Sequence, residues 1–341
     1  MSLRNKQGAV LVVSLWILII LVLLAVSAGR RVSIALKLLR YHLNRTQAFY
    51  LAQAGIERIR YEKTLDTNEY DSLNEAWSNK LNPEGQPYFK NFGLGTGKFK
   101  VCYEYYESKD REPEILYGMQ DEQSKLNINK IIQDDGANLD NNARAAFVEL
   151  LKILLACDDE EAKGLVDRFV DWIDKDREAY PAKNLPLDRL EELSMIEGFK
   201  PETANKLKDY VTIYGDGAIN INSAPKEILL ALGLSEESAY DILSYRKGVD
   251  GKIATEDDRA IREINELNTE SGMSEIFRGR TLSAEDAALI NKLITTLKLT
   301  TKSLCYMIAS YGRAGTVTKS IIITYRINPD KSFEQLYRYE E

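Results

Sequence analysis

Asp171, Asp174 and Asp176, with Asp167 one helical turn earlier, gather carboxylate oxygens at what reads as a helix end. Hard cations such as Ca²⁺ take six to eight oxygens at about 2.3–2.6 Å, and carboxylates bunched in a loop can supply them. The set is therefore a candidate calcium site, set against the simpler reading of a solvated helix C-terminus beside a buried Trp172. As a hydrolytic centre it lacks a nucleophile, a histidine and a second ligand group. His42 is the only histidine, which excludes His-based catalysis and multi-His metal centres. Cys102, Cys157 and Cys305 are too few and too scattered for a disulfide framework or a zinc knuckle. Cys102 and Cys305 lie in strand-like runs, where they could pair or stay buried as free thiols. No catalytic residue emerges, so the chain reads as a non-enzyme that requires no cofactor.

Two stretches resemble helix–hairpin–helix units, residues 190–213 around Gly198-Phe199-Lys200 and residues 228–246 around Gly233-Leu234-Ser235. DNA-binding versions carry a second glycine in the hairpin, so that backbone N–H groups reach a phosphate. Here Lys200 and Ser235 hold those places, and Glu191, Glu192, Glu197, Glu236 and Glu237 would repel a phosphate backbone. A net charge of −7 also leaves no surplus of cations to replace phosphate counterions. These units are read as packing elements, and no nucleic acid is expected as a partner.

The elements that position these residues begin at the N-terminus. Residues 9–28 form an uncharged apolar run directly behind a short basic leader that ends at Gly8. As a helix the run spans about 30 Å, the thickness of a bilayer core. Three readings compete: a secretory signal cut after Val26-Ser27-Ala28, a plain anchor, and a leader cut between Gly8 and Ala9. Arg4 and Lys6 face a stronger cluster of Arg30, Arg31, Lys37 and Arg40, so flanking charge argues weakly against a cytoplasmic N-terminus. Helical periodicity continues through residues 29–66 with no proline before Pro83. Val32, Leu36, Leu39, Leu43, Ala48, Leu51, Ala52, Ile56 and Ile59 recur mostly at three- and four-residue steps, the stripe of an amphipathic stem. Residues 9–63 thus predict one helix roughly 80 Å long, its upper stripe packed on the chain's own sheet.

Roughly 310 residues remain outside lipid, enough for two domains or for one with a large insertion. Residues 67–98, rich in Asn, Gly, Pro and Ser, read as a surface linker with turns. Residues 99–106 alternate as a strand that residues 114–119 could pair with, and residues 304–310, 318–326 and 333–337 form a second strand group. The turn between the first two of that group contains Gly312 and Gly315. Between the two groups, residues 142–157, 160–174, 186–196, 201–213, 225–232 and 235–247 show helical periodicity, with Pro201 and Pro225 at first-turn positions. The fold class is α+β: a long N-terminal helix on an antiparallel sheet, with an all-helical, helix–hairpin–helix (SAM-like) domain inserted between strands. The divisions are 1–8, 9–28, 29–66, 67–120, 121–300 and 301–341.

Gly8 with the apolar run, and then Gln47-Ala48-Phe49-Tyr50-Leu51-Ala52-Gln53-Ala54-Gly55-Ile56-Glu57, resembles the N-terminal helix of type IV pilins and type II secretion pseudopilins. Three further blocks resemble the minor pseudopilin K branch. They are residues 121–129 (DEQSKLNIN), residues 170–176 (VDWIDKD) with 180–184 and 190–193, and residues 219–229 (ININSAPKEIL). The resemblance implies removal of the leader between Gly8 and Ala9 by a prepilin peptidase, then methylation of the new amine. It implies calcium binding, although the acidic stretch that usually follows Asp176 is shortened here to Arg177-Glu178-Ala179. Most members carry a Glu five residues after the cut, where this chain has Val13. A carboxylate in a bilayer costs about 2.5–3.5 kcal/mol unless paired, and in the family it meets the N-terminal ammonium of the preceding subunit. A Val13 chain has no such need, which suits the first subunit of a fibre.

The implied role is a minor pseudopilin at the pseudopilus tip, initiating assembly and capping the fibre during protein export. The implied partners are I- and J-type minor pseudopilins, the major pseudopilin, the prepilin peptidase, the inner-membrane secretion platform and exported proteins. The implied location is the bacterial inner membrane, single-pass, with the body in the periplasm. Two readings from other classes stand beside it. One is a membrane-anchored periplasmic DNA receptor, and the other is an anchored metal-dependent hydrolase.

Overall fold

The computed structural model describes residues 4–133, 135–175, 182–296 and 298–341, with side chains from residue 8 onward. Helix α1 (Arg4–Leu65) runs unbroken for 62 residues, about 90 Å, because no proline interrupts it. Its apolar stripe divides. Ala48, Leu51, Ala52, Ile56 and Ile59 are buried on the sheet, whereas Val32, Leu36, Leu39 and Leu43 lie exposed. The expectation of packing on the chain's own sheet therefore holds for the upper stem and ends near Ala48, where the sheet ends.

The interval expected to be a surface linker is partly packed. It contains a short helix, α2 (Ala76–Asn79), with Trp77 buried, and the buried Phe89. Strand β1 (Phe92–Leu94) then forms a hairpin with β2 (Gly97–Val101). The run 99–106 is not one strand. It leaves the main sheet at Cys102, and β3 (Tyr103–Tyr105) pairs instead with β4 (Glu114–Leu116) in a separate antiparallel sheet. After β5 (Gln120–Asp121) the chain enters the insertion.

Inside the insertion, β6 (Leu126–Asn127) pairs in parallel with β7 (Val211–Thr212), and β8 (Ile219–Asn220) with β9 (Leu299–Thr300). Helices α3 (Asn141–Leu155) and α4 (Asp159–Ile173) begin at Asp140 and Asp158, whose carboxylates accept the first free N–H groups. The stretch 186–196 forms only a 3₁₀ segment, Leu190–Met195. Then come α5 (Pro201–Leu207), α6 (Lys226–Ala231), α7 (Glu236–Arg246), α8 (Glu270–Ile276) and α9 (Ala284–Thr295). Helix α5 stops well before residue 213 because β7 takes up Val211 and Thr212, and Pro225 stands at the N-cap of α6 rather than inside it. These elements share one apolar core from Leu126 to Leu299. A distinct core joins α1 to the sheet.

Strands β10 (Cys305–Ala314), β11 (Val317–Ile327) and β12 (Phe333–Glu340) complete the main sheet. Its order is β1-β2-β10-β11-β12, antiparallel throughout, with β5 also on β10. The α+β class with an insertion between strands is observed, but the insertion is mostly rather than all helical, because two short parallel strand pairs, β6 with β7 and β8 with β9, tie its ends together. Cys102, Cys157 and Cys305 are free thiols, so the pairing of Cys102 with Cys305 does not occur.

Gly312 is a strand residue, and only Gly315, at φ 55°, lies in the turn. Gly312 sets how closely helix and sheet approach. A Cβ there would overlap the Ala48 carbonyl oxygen and the Ala52 nitrogen, which are backbone atoms that cannot rotate away. Gly93 has open space around it. Gly312→Ala is expected to lower stability by about 1–3 kcal/mol through overpacking. Gly93→Ala should stay within about 0.5 kcal/mol. Thermal unfolding of both variants checks the pair.

Candidate functional site

Gly8, Ala9 and Val13 all lie within α1, and their side-chain positions face outward. The Gly8–Ala9 bond therefore sits in helical backbone, which Gly8 weakens by about 0.8–1.0 kcal/mol relative to alanine. The N-terminal part of the helix is long and apolar enough to cross a membrane, and that part is not buried against the rest of the chain. One N-terminal helix of this kind fits a single-pass anchor.

Asp171 lies on the exposed face of α4, and Asp174 caps the end of that helix through its backbone N–H to the Val170 carbonyl. Asp176 lies outside the described residues, as do Arg177, Glu178 and Ala179. Asp167 pairs with Arg144 across to α3. Asp171 and Asp174 together carry four carboxylate oxygens, and calcium takes six to eight. Among the described residues, two carboxylate groups converge, Asp66/Asp71/Glu75 and Asp250/Asp257/Asp258. In the second, the oxygens serve the loop itself. Asp257 accepts from the Val249 and Asp250 N–H groups, and Asp258 accepts from Ala254.

The first group already surrounds a cation, and it opens onto a buried polar cluster in the head, the part of the chain that follows the stem. Lys63, in the last turn of α1, pairs with Asp66 at 2.7 Å and with Asp71. Its ammonium also lies 4.9 Å from the Trp77 ring centroid and 5.1 Å from that of Tyr306, within cation–π range. Burial opposes the Lys63 charge, but Asp71 and Asp66 outweigh it and hold the ammonium above its usual range. Asp71 then accepts the Ser303 N–H at 2.7 Å, just before β10. Its carbonyl accepts from the Asn220 amide at 3.1 Å.

Asn220 also donates to Asp121 at 2.9 Å. Asp121 further accepts from the hydroxyls of Ser223 and of Ser303, the latter at 2.7 Å, and from the Gln123 N–H at 2.8 Å. Asp71, Asp121, Asn220, Ser223 and Ser303 are all buried. Burial raises the Asp121 carboxyl to about 6, against the lowering effect of the two hydroxyls. One hydrogen-bonded cluster thus ties the end of the stem, the last residue of β5, the approach to β10 and the centre of the insertion.

The neighbouring motif residues extend the tie. Gln123 donates to Asp216 at 3.0 Å and to the Ala218 carbonyl at 3.1 Å. Asn127 donates to the carbonyls of Tyr214 and Gly215. Asn222 exchanges two 2.8 Å bonds with the backbone of Ile261. The blocks 121–129 and 219–229 are therefore two sides of one junction. These blocks stand out in the sequence, while nothing local distinguishes Lys63 and Asp71.

The hairpin at residue 235 is closed to an outside anion. Asp286, in the first turn of α9, accepts from the Ser235 N–H at 3.1 Å and from the hydroxyls of Ser235 and Ser238 at 2.6 and 2.7 Å. Burial works against the Asp286 charge, yet these donors hold its carboxyl below the usual range. At the other hairpin, Gly198 sits at φ 93° against Leu165 and Arg168, and Arg168 donates to the Glu197 carbonyl. Both turns serve packing within the chain.

A family model of type II secretion system protein K matches residues 124–216. The matched stretch begins just after Gln123 and ends at its partner Asp216. Over these residues the chain is similar to protein K of type II secretion. A PilX N-terminal model matches residues 7–57, the lower and middle stem. Among solved structures, the fold is similar to a chain of the GspK-GspI-GspJ complex from the type 2 secretion system of enterotoxigenic Escherichia coli. The TM-score is 0.60 at 15% identity, covering 89% of this chain and 98% of that one. Comparison with curated sequences returns no match. Together, the PilX-like stem and the match to protein K over residues 124–216 support a minor pseudopilin role.

Asp121→Asn replaces an acceptor with a donor facing the Asn220 amide, a mismatch expected to cost about 1–3 kcal/mol. Because the folded carboxyl titrates above its unfolded value, its stabilising contribution is complete below 3.8 and is lost as pH rises through about 6. From pH 7 to pH 5 the wild type should therefore gain about 1 kcal/mol relative to Asp121→Asn. Urea unfolding of both proteins at the two pH values measures the difference.

Proposed function

We propose that this chain is the tip subunit of a type II secretion pseudopilus, starting assembly and capping the fibre during protein export. The observation that carries the reading is the position of the insertion. Through Lys63, Asp71, Asp121 and Asn220 it is fixed at the end of α1 away from the apolar anchor, where a subunit stacked ahead would have to sit. Val13 agrees, because nothing ahead requires a carboxylate to pair with its N-terminal ammonium. The partners on this reading are I- and J-type minor pseudopilins, as in the GspK-GspI-GspJ complex, then the major pseudopilin, the inner-membrane platform and exported proteins. The body lies in the periplasm, and a prepilin peptidase cuts between Gly8 and Ala9. The role is structural and needs no catalytic residue. The DNA-receptor alternative is weakened by Asp286, which already occupies the hairpin donors that a phosphate would use.

N-terminal sequencing of the membrane-embedded protein should begin at Ala9, and a start at Met1 or Gly29 would count against the reading. Loss of the chain should reduce the number of pseudopili assembled in cells that overproduce the major subunit. Unchanged fibre counts by electron microscopy would remove the initiating role.

A further inference from the structure

The back of the stem carries a second apolar seam. Val32, Leu36, Leu39, Leu43 and Tyr50 follow one another at steps of four, three, four and seven residues, and each is more than half exposed. That spacing averages 3.6 residues per turn, so the five side chains keep to one face of the helix, open to a partner. The face that grips the sheet starts at Ala48, five residues after Leu43, a step of about 140° around the helix at roughly 100° per residue. Tyr50 therefore continues the seam behind the turns whose front is buried on β10. Nothing among the described residues covers it.

Charge selects what can cover it. Arg30, Arg31, Lys37, Arg40 and Arg45 accompany the seam, all exposed. The first 56 residues hold seven of the 45 basic residues and none of the 52 acidic ones, leaving 38 basic against 52 acidic, a net −14, in the remainder. Two packed helices run about 8–10 Å apart, close to the screening length of about 8 Å at physiological salt. A second copy in register would set five cations beside five, with no carboxylate on either stem to answer them before Glu57.

We infer that the seam Val32–Leu36–Leu39–Leu43–Tyr50 takes a parallel, membrane-anchored helix of a different chain, one bearing acidic residues level with residues 30–45, and that its basic flank rejects a second copy of this chain. The inference rests on the reading of α1 as an assembly helix and specifies the chemistry of its partner. Like charge on the stem opposes self-association, which agrees with a subunit that ends a fibre.

The test uses the full chain carrying Leu39→Cys in phosphatidylcholine vesicles, in two differently tagged forms, with the parent lacking Leu39→Cys as background. One form keeps the native stem, and the other adds Lys37→Glu, Arg40→Glu and Arg45→Glu. These side chains are exposed, so thermal unfolding of the head should not change between the forms. At low salt, disulfide formation between the native and reversed stems should exceed that between two native stems several-fold, and 1 M salt should erase the difference. Native stems linking to each other as readily as to reversed ones would overturn the inference, and so would a preference that survives high salt. The vesicles contain no fibre, so failure here leaves the tip reading to its own tests.

Discussion

The contact on which the head depends is the buried pairing of Lys63 with Asp71, and through Ser303 and Asn220 with Asp121. A buried ammonium is tolerable only when carboxylates and ring faces replace its water, and removing one partner from such a pair costs about 3–5 kcal/mol. Polar groups are required at this point. Three chain segments meet where the stem ends, the first strands finish and the last strands begin, and their backbone N–H groups must find acceptors away from water. Asp71 and Asp121 serve the N–H groups of Ser303 and Gln123. Apolar packing alone could hold the insertion near the sheet. These directional bonds fix where it stands relative to the stem.

The stem divides its work by face and by height. Its lower third is apolar all round, as lipid requires. Its middle carries an exposed seam under an unrelieved positive charge. Its upper third trades side-chain bulk for closeness, with Gly55 against Ser310 and Gly312 against the helix backbone. The small contacts allow the helix to lie directly on β2, β10 and β11, which keeps the opposite face clear for another helix.

Much of this plan was legible in the sequence. The uncharged run, the missing prolines and the period-two strands at both ends of the body dictated anchor, stem and sheet, and a block of helical periodicity between strands implied an insertion. The errors share a cause. Residues 99–106 alternate throughout, yet the chain changes sheet at Cys102, because pairing partners far away in sequence decide where a strand belongs. Trp77 and Phe89 are buried inside a stretch whose composition reads as linker. The stripe from Val32 to Ile59 counted as one face, although the five-residue step from Leu43 to Ala48 moves it around the helix. The junction was half visible: Asp121, Asn220 and Ser223 stood within recognisable blocks, whereas Lys63 and Asp71 gain their meaning only from tertiary contact. Asp286 was invisible for the same reason, being 51 residues from the serine it caps.

The central claim is that a rigidly seated insertion makes this chain the end of a fibre rather than a repeating unit. The most direct measurement is gold labelling of an epitope placed on the insertion, on pseudopili assembled with the full set of subunits and viewed by electron microscopy. The account predicts a single label at one end of each fibre. Labels distributed along the shaft would contradict it.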